Sequence, residues 1–141
     1  RENPMAVCSP ALLGGATALS AEQIASLPLL QQSTRPYAWR QWFNAQGLNV
    51  ARDMAGPRYE LFSMLAQAAM HEMGIALIPP FLIRRELDEG RLVIASSYNQ
   101  PSDKAYYLII PERKLESAAL LALRDWLVRE ARAYAEASSL K

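Results

Sequence analysis

The sequence predicts an α/β fold in which short strands alternate with helices, and three observations support this prediction. Residues 75–78 form a short, continuously apolar segment, which is typical of a strand that is covered on both faces of a sheet. Apolar residues in 62–73 recur at helical spacing and are followed by Gly74. In 120–134, an apolar stripe with 3-4-4-3 spacing predicts an amphipathic terminal helix.

The residue pattern in the first part of the chain predicts two strands and two helices. Residues 5–8 and 29–31 are short apolar segments of strand length, and Ser20 is a suitable N-cap for a short helix between them. The next helix carries Trp39 and Trp42, and a glycine ends it. We expect both tryptophans to lie in the core, and the alternative is that they contact a ligand.

The remaining elements follow in the same alternating order. A strand is expected over 57–60, and a helix over 63–73 that presents Met73 to the core. After the apolar strand already described, Pro80 is suited to the first turn of a helix that ends at Gly90. The last two strands are expected over residues 92–95 and 106–110.

Composition indicates a globular domain and excludes several classes of protein. The 141 residues are 51% hydrophobic and 21% charged, a balance that can bury a core and that disordered chains lack. The net charge of +1 gives no strong attraction to nucleic acid or to a membrane surface. Cys8 is the single cysteine, so the chain has no internal disulfide, and no apolar run has the length of a membrane span.

Catalytic and metal-binding signatures are missing from the sequence. His71 is the single histidine, and it lacks the second histidine of a zinc-protease helix. It falls opposite the apolar stripe of its helix, so we expect it in solvent. Cys8 lies in an apolar strand and is expected to be a packed thiol. We therefore expect no enzymatic activity, no metal and no cofactor.

Two groups of residues are candidates for ligand binding. The first comprises Thr34 and Arg35, where a hydroxyl and a guanidinium beside a strand end suit a small carboxylate. The alternative is an ordinary loop that leads into a core helix. The second group lies where a strand leads into a helix N-terminus, a place that attracts anions, and comprises Tyr59, Glu60 and Ser63.

Both interpretations of the second group stay open from the sequence. Ser63 has the chemistry either to bond a ligand or simply to cap its helix. Glu60 disfavours a purely anionic ligand and would suit the ammonium group of an amino acid or polyamine.

Three segments in order resemble the effector-binding domain of LysR-type transcriptional regulators. They are Val-Cys-Ser-Pro-Ala-Leu-Leu at 7–13, Ala-Ala-Met-His-Glu-Met-Gly-Ile-Ala-Leu-Ile-Pro at 68–79 and Glu-Leu-Asp-Glu-Gly-Arg-Leu-Val at 86–93. The tryptophan segment 39–43 and the segment 123–127 resemble the branch that includes the glycine-cleavage activator. One departure is Glu72, where the family commonly has glycine.

The resemblance implies a periplasmic-binding-protein-like (type 2) fold, with two α/β lobes of three-layer sandwich type and a ligand cleft between them. Residues 5–97 would form the second lobe. Residues 98–141 would return to a first lobe of which half is absent, and the N-terminal DNA-binding domain would lie outside these residues. The terminal helix would then lack its usual cover, so we expect the chain to form a homo-oligomer.

The function that the resemblance implies is sensing of a small metabolite in the cytoplasm to control transcription. The effector would be an amino acid or a small organic acid. The second lobe's side of the effector cleft would comprise Thr34, Arg35, Tyr59, Glu60 and Ser63. DNA would be contacted only through the absent domain, and no membrane would be involved. The alternative is a solute-binding protein of a transporter, which shares the fold type.

Overall fold

The structure, a computed structural model, describes residues 2–100, 104–111 and 117–139, with side chains up to residue 137. The chain forms two compact units, Arg1–Ala105 and Tyr106–Lys141. The elements of the first unit are β1 (Met5–Cys8), α1 (Ala21–Ala25), β2 (Leu29–Gln32), α2 (Ala38–Asn44), β3 (Arg58–Tyr59), α3 (Phe62–Met70), β4 (Ile75–Ile78), α4 (Arg84–Asp88) and β5 (Val93–Ile94). The second unit contains α5 (Ala118–Ser139).

The five strands form one mixed sheet in the order β3-β2-β4-β1-β5. β2 runs parallel to both of its neighbours, whereas β1 runs antiparallel to β4 and β5. At the centre of β4, Ala76 lies opposite Leu30 on one side and Val7 on the other. The predicted α/β fold is therefore confirmed, with β4 as its central strand.

Successive side chains of the sheet point to opposite faces, as the strand pleat requires, and each face has its own apolar layer. One layer contains Ala6, Cys8, Leu29, Ile75, Leu77, Trp39, Trp42 and Phe43. The other layer contains Val7, Leu30, Ala76, Ile78, Leu65, Ala69, Ile83 and Leu92. All four residues of β4 are buried, so the prediction of a strand covered on both faces is confirmed.

The aromatic side chains of α2 fill the first layer. Trp39 stacks on Phe43 with ring centroids 5.5 Å apart, and Trp42 meets both rings edge-on. The indole N–H of Trp39 donates to the carbonyl of Leu30 at 2.9 Å, which fixes α2 to β2. The predicted core position of both tryptophans is confirmed, since each is buried.

Helix α3 ends earlier than the apolar pattern predicts. It stops at Met70, and the backbone of Glu72 turns into the left-handed region with φ of 62°. This conformation costs a side chain about 1 kcal/mol relative to glycine. The turn carries Met73 away from the helix face, so its expected core position is wrong and it is 50% exposed.

Gly74 brings the start of β4 against the residue before β2. Its φ is 152°, and a Cβ at this position would clash with the carbonyl of Pro28. The same carbonyl accepts a hydrogen bond from Ile75 at 2.9 Å. The register between β2 and β4 therefore depends on a residue without a side chain.

The segment between β4 and β5 differs from the single helix that was expected. It forms a 3-10 helix, Pro80–Leu82, and then the separate α4, because the backbone of Ile83, with φ −129° and ψ 26°, is not helical and interrupts the helix. Ile83 is buried, whereas Leu82 is exposed. The two edge strands of the sheet, β3 and β5, contain two residues each, since only those residues pair with a neighbouring strand.

In the part of the second unit that the structure describes, a non-regular segment precedes the long helix α5. The expected strand over 106–110 is wrong: 104–111 adopts no regular structure, and the five-stranded sheet does not include it. A strand exists only through its ladder with a neighbour, so apolar composition alone does not form one. The expected terminal helix is confirmed, and its Leu123, Trp126 and Leu127 are exposed. Among the described helices, none is long and apolar enough to cross a membrane.

The burial of Leu65 gives a test of the core. Its side chain is 1% exposed in the layer beneath α3, so truncation to alanine leaves a cavity. We expect Leu65→Ala to lower the free energy of unfolding by about 2 to 5 kcal/mol in denaturant titration. Leu61→Ala is the control, because Leu61 is 59% exposed and its truncation should cost under about 0.5 kcal/mol. Equal unfolding midpoints for the two variants would contradict this core.

Candidate functional site

Two parallel strands end side by side and bring the two predicted groups of residues together. Gln32, the last residue of β2, lies opposite Tyr59, the last residue of β3. The amide of Ser33 donates to the carbonyl of Tyr59 at 2.9 Å, which holds the two following loops next to each other. The carboxyl ends of parallel strands are the usual ligand-binding edge of α/β sheets.

Arg35 lies at the centre of this edge and makes an extensive set of contacts. One terminal nitrogen, Nη2, donates to both carboxylate oxygens of Glu2 at 2.7 Å. The other, Nη1, donates to Oε1 of Gln32 at 2.9 Å and to the hydroxyl of Thr34 at 3.4 Å. The guanidinium also lies over the ring of Phe62, 5.0 Å from its centroid. Arg35 therefore joins the start of the chain, the end of β2 and the start of α3.

Glu2 is the residue of this edge that the sequence analysis missed. Its side chain is 5% exposed, and its carboxylate pairs with Arg35. Its amide donates to the carbonyl of Lys104 at 2.8 Å, so the chain passes this point twice. No local pattern relates Glu2 to an arginine 33 residues away, and only the strand order brings the two together.

The two candidate hydroxyls are both exposed. Thr34 lies in the turn after β2, and Ser63 lies in the first turn of α3. Leu61 is the N-cap of α3 and no side chain caps that helix, so capping does not account for Ser63. The hydroxyl of Thr34 accepts from Arg35, which leaves its proton directed elsewhere.

Tyr59 and Glu60 differ in their surroundings. Tyr59 is half-buried, packs against the layer beneath α3, and its hydroxyl donates to the sulfur of Met73 at 3.7 Å. Glu60 is exposed, and its carbonyl accepts from the side chain of Gln32 at 3.4 Å. The set Thr34, Arg35, Tyr59, Glu60 and Ser63, referred to below as the strand-end wall, thus lies on one edge of the sheet.

The other reactive side chains lie away from the strand-end wall. Cys8 is buried in the sheet, and burial raises the pKa of its thiol to about 11, so it remains protonated at neutral pH. His71 is exposed at the end of α3, as expected. Within the described residues, no three histidine, cysteine, aspartate or glutamate side chains are grouped as metal ligands.

A second buried carboxylate pairs with an arginine elsewhere in the fold. Asp53 is 3% exposed and accepts from Nε and Nη2 of Arg40 on α2 at 2.7 and 3.0 Å. Hydrogen bonding to Asp53 raises the pKa of Arg40 above its usual value. Arg40 also borders an open depression at the end of α2 that is lined by Arg40, Asn44, Gly47, Leu48 and Asn49.

Comparison with known sequences relates the chain to bacterial transcription regulators. The glycine cleavage system transcriptional activator of Escherichia coli is 33% identical over 131 residues, which are 92% of this chain and 43% of that protein. The regulator TrpI of Pseudomonas aeruginosa is 33% identical over 100 residues, 71% of this chain and 33% of that protein. The chain spans less than half the length of these relatives. They give no support to the alternative of a transporter component.

Solved structures of effector domains share the fold. The effector domain of the regulator AmpR of Pseudomonas aeruginosa matches with a TM-score of 0.73 and 20% identity, over 96% of this chain and 65% of that chain. The AmpR effector binding domain of Citrobacter freundii matches with a TM-score of 0.62 and 21% identity, over 70% of this chain and 48% of that chain. At this identity the likeness concerns the fold, and it confirms the periplasmic-binding-protein-like (type 2) class.

The resemblance noted in the sequence is confirmed by a family-wide comparison. The sequence profile of the LysR substrate binding domain matches residues 1–132, which are nearly the whole chain. The segments that carried the resemblance, from the first strand to the terminal helix, all lie within this match. The chain therefore belongs to the LysR substrate binding domain family, whose members named above are transcription regulators.

Proposed function

We propose that this chain is the ligand-sensing module of a LysR-type transcription regulator that works in the cytoplasm. It binds a small metabolite and contacts DNA only through a domain outside these residues. The observation that carries the proposal is the strand-end wall, where two parallel strands place hydroxyls and charges on one edge. Family membership supplies the biological context.

Residues 5–97 are proposed to form the second lobe of a two-lobed domain, and 98–141 to return to the first lobe. The mixed sheet and the buried residues of both apolar layers fall within 5–97, which supports this division, and Tyr98 packs against the edge of one layer. The strand-end wall then forms one side of the cleft. The effector controls transcription because it has different affinities for two states of the domain, and it shifts the population towards the state it prefers.

The ligand of the strand-end wall is proposed to be an amino acid or a small organic acid. The hydroxyls of Thr34 and Ser63 suit a carboxylate, as do the amides of the first turn of α3, which no side-chain cap engages. The exposed carboxylate of Glu60 suits an ammonium group, and this favours the amino acid.

The module is proposed to have no catalytic activity and no metal requirement. A burial-raised thiol pKa makes Cys8 a poor nucleophile, and His71 stands alone in solvent. We expect less than stoichiometric zinc to remain after exhaustive dialysis. Zinc retained at one equivalent, or a hydrolase activity lost in His71→Ala, would contradict this part of the proposal.

The hydroxyls of the strand-end wall can be tested by titration with a panel of amino acids and small carboxylic acids. The tightest ligand of the unmodified protein is then titrated into Thr34→Val and Ser63→Ala. We expect the dissociation constant to rise about 10- to 100-fold in each variant, because a hydrogen bond to a charged group is lost.

Ser26→Ala is the matched control for this titration. Ser26 is exposed at the end of α1, before β2 begins, and so lies at the opposite end of that strand from the wall. Its substitution should leave the dissociation constant unchanged. Equal affinity in Thr34→Val, Ser63→Ala and the unmodified protein would remove both hydroxyls from the ligand site.

The chain is also proposed to form a homo-oligomer through α5. Leu123, Trp126 and Leu127 are 49%, 49% and 37% exposed on this helix, and covering such side chains stabilises an assembly. Glu136 follows Leu127 by nine residues and therefore projects from the opposite side of the helix.

Sedimentation of this 141-residue chain tests the assembly. We expect a dimer at micromolar concentration, a monomer for Leu127→Lys, and an unchanged dimer for Glu136→Lys, because only Leu127 lies on the apolar face. A monomer at every accessible concentration of the unmodified chain would exclude self-association. In that case α5 would be covered by other parts of a longer protein.

A further inference from the structure

The guanidinium of Arg35 already holds an internal anion. Both oxygens of Glu2 accept from Nη2, while Nη1 is engaged by Gln32 and Thr34. An anionic ligand that approached this guanidinium would meet a carboxylate in the position it needs. We propose that Glu2 determines the specificity of the strand-end wall. Because its carboxylate neutralises Arg35, it excludes purely anionic ligands and narrows the two proposed ligand classes to the amino acid.

The charges around the wall support this assignment. Glu2 and Arg35 cancel each other, and the exposed Glu60 leaves the wall with an excess negative charge. The Glu2 side chain is 5% exposed, so neither solvent nor salt weakens its pairing with Arg35 effectively. A ligand with an ammonium group meets attraction at Glu60, whereas a small dianion finds no free positive charge at the paired Arg35 and meets repulsion from Glu60.

Glu2 is fixed in place and does not yield to a competing anion. Its backbone is held by the hydrogen bond to Lys104, and its carboxylate is buried. An external anion that displaced it would leave a buried charge without a partner, which is strongly unfavourable. Glu2 is therefore a permanent part of the wall and not a gate that a ligand opens.

Binding of inorganic phosphate tests this inference. The inference rests on the proposed function in one respect, that the strand-end wall faces the ligand. The temperature of unfolding is measured in sodium phosphate and in sodium chloride of equal ionic strength. Phosphate stabilises folded proteins in general by exclusion from their surface, so the unmodified protein should show only a gradual rise in phosphate that does not saturate. Glu2→Gln frees Arg35, and it should show a saturable rise of about 5 °C at ten times the dissociation constant of phosphate.

Two further variants define where phosphate binds. Glu2→Gln combined with Arg35→Gln should lose the rise, because the guanidinium is gone. Asp53→Asn is the matched control, since it frees Arg40 from an equally buried carboxylate outside the wall. The side chain of Arg40 is 47% exposed and lies outside the wall, so Asp53→Asn should show no phosphate-specific rise.

Each outcome decides the inference. It is overturned if Glu2→Gln gains no phosphate-specific stability, or if Asp53→Asn gains as much. If Glu2→Gln is unfolded in chloride, phosphate should restore its folded circular dichroism spectrum, and failure to do so at any concentration also overturns it. The proposed effector site is judged separately by the Thr34 and Ser63 titrations, so the two can fail independently.

Discussion

The central strand β4 is the constraint on which the rest of the first unit depends. Its backbone pairs with β2 on one side and β1 on the other, and its four side chains enter two different apolar layers. Removing it would separate β2 and β3 from β1 and β5 and would open both layers. The close approach of Gly74 to Pro28 sets where this strand begins, so a backbone contact at one end fixes the register of the sheet.

The position of the candidate site follows from the direction of the strands. Because β2 and β3 are parallel, their loops leave the sheet at the same edge, although the two loops are far apart in sequence. β1 runs antiparallel to β4, and this places the residues before Met5 at that same edge. Glu2 can therefore meet Arg35, and the strand-end wall receives a contribution from the beginning of the chain.

Local patterns predicted what depends on local chemistry. β1 and β4 have the predicted bounds, the serine cap at Ser20 is present, and the tryptophans of α2 lie in the core. Apolar runs and helical spacing report burial directly, because the side chains that carry the pattern also make the contacts.

Those local patterns did not predict interactions between residues that are distant in the sequence. The backbone turn at Glu72 removed Met73 from the core, and segment 106–110 has the composition of a strand without membership of the sheet. The pairing of Glu2 with Arg35 depends on strand order, which periodicity does not encode. For the same reason, the two groups of candidate residues were recognised separately, and their adjacency emerged only from the parallel pairing of β2 and β3.

The hydrogen bond between Glu2 and Lys104 also has a consequence for how the first unit is connected. Glu2 and Lys104 lie close to the two ends of this unit, so both ends lie next to each other. Units built in this way are the ones that proteins tolerate as insertions within another domain. Residues 2–104 therefore present their two ends at one place, which is the geometry that insertion into a surface loop of a host protein requires.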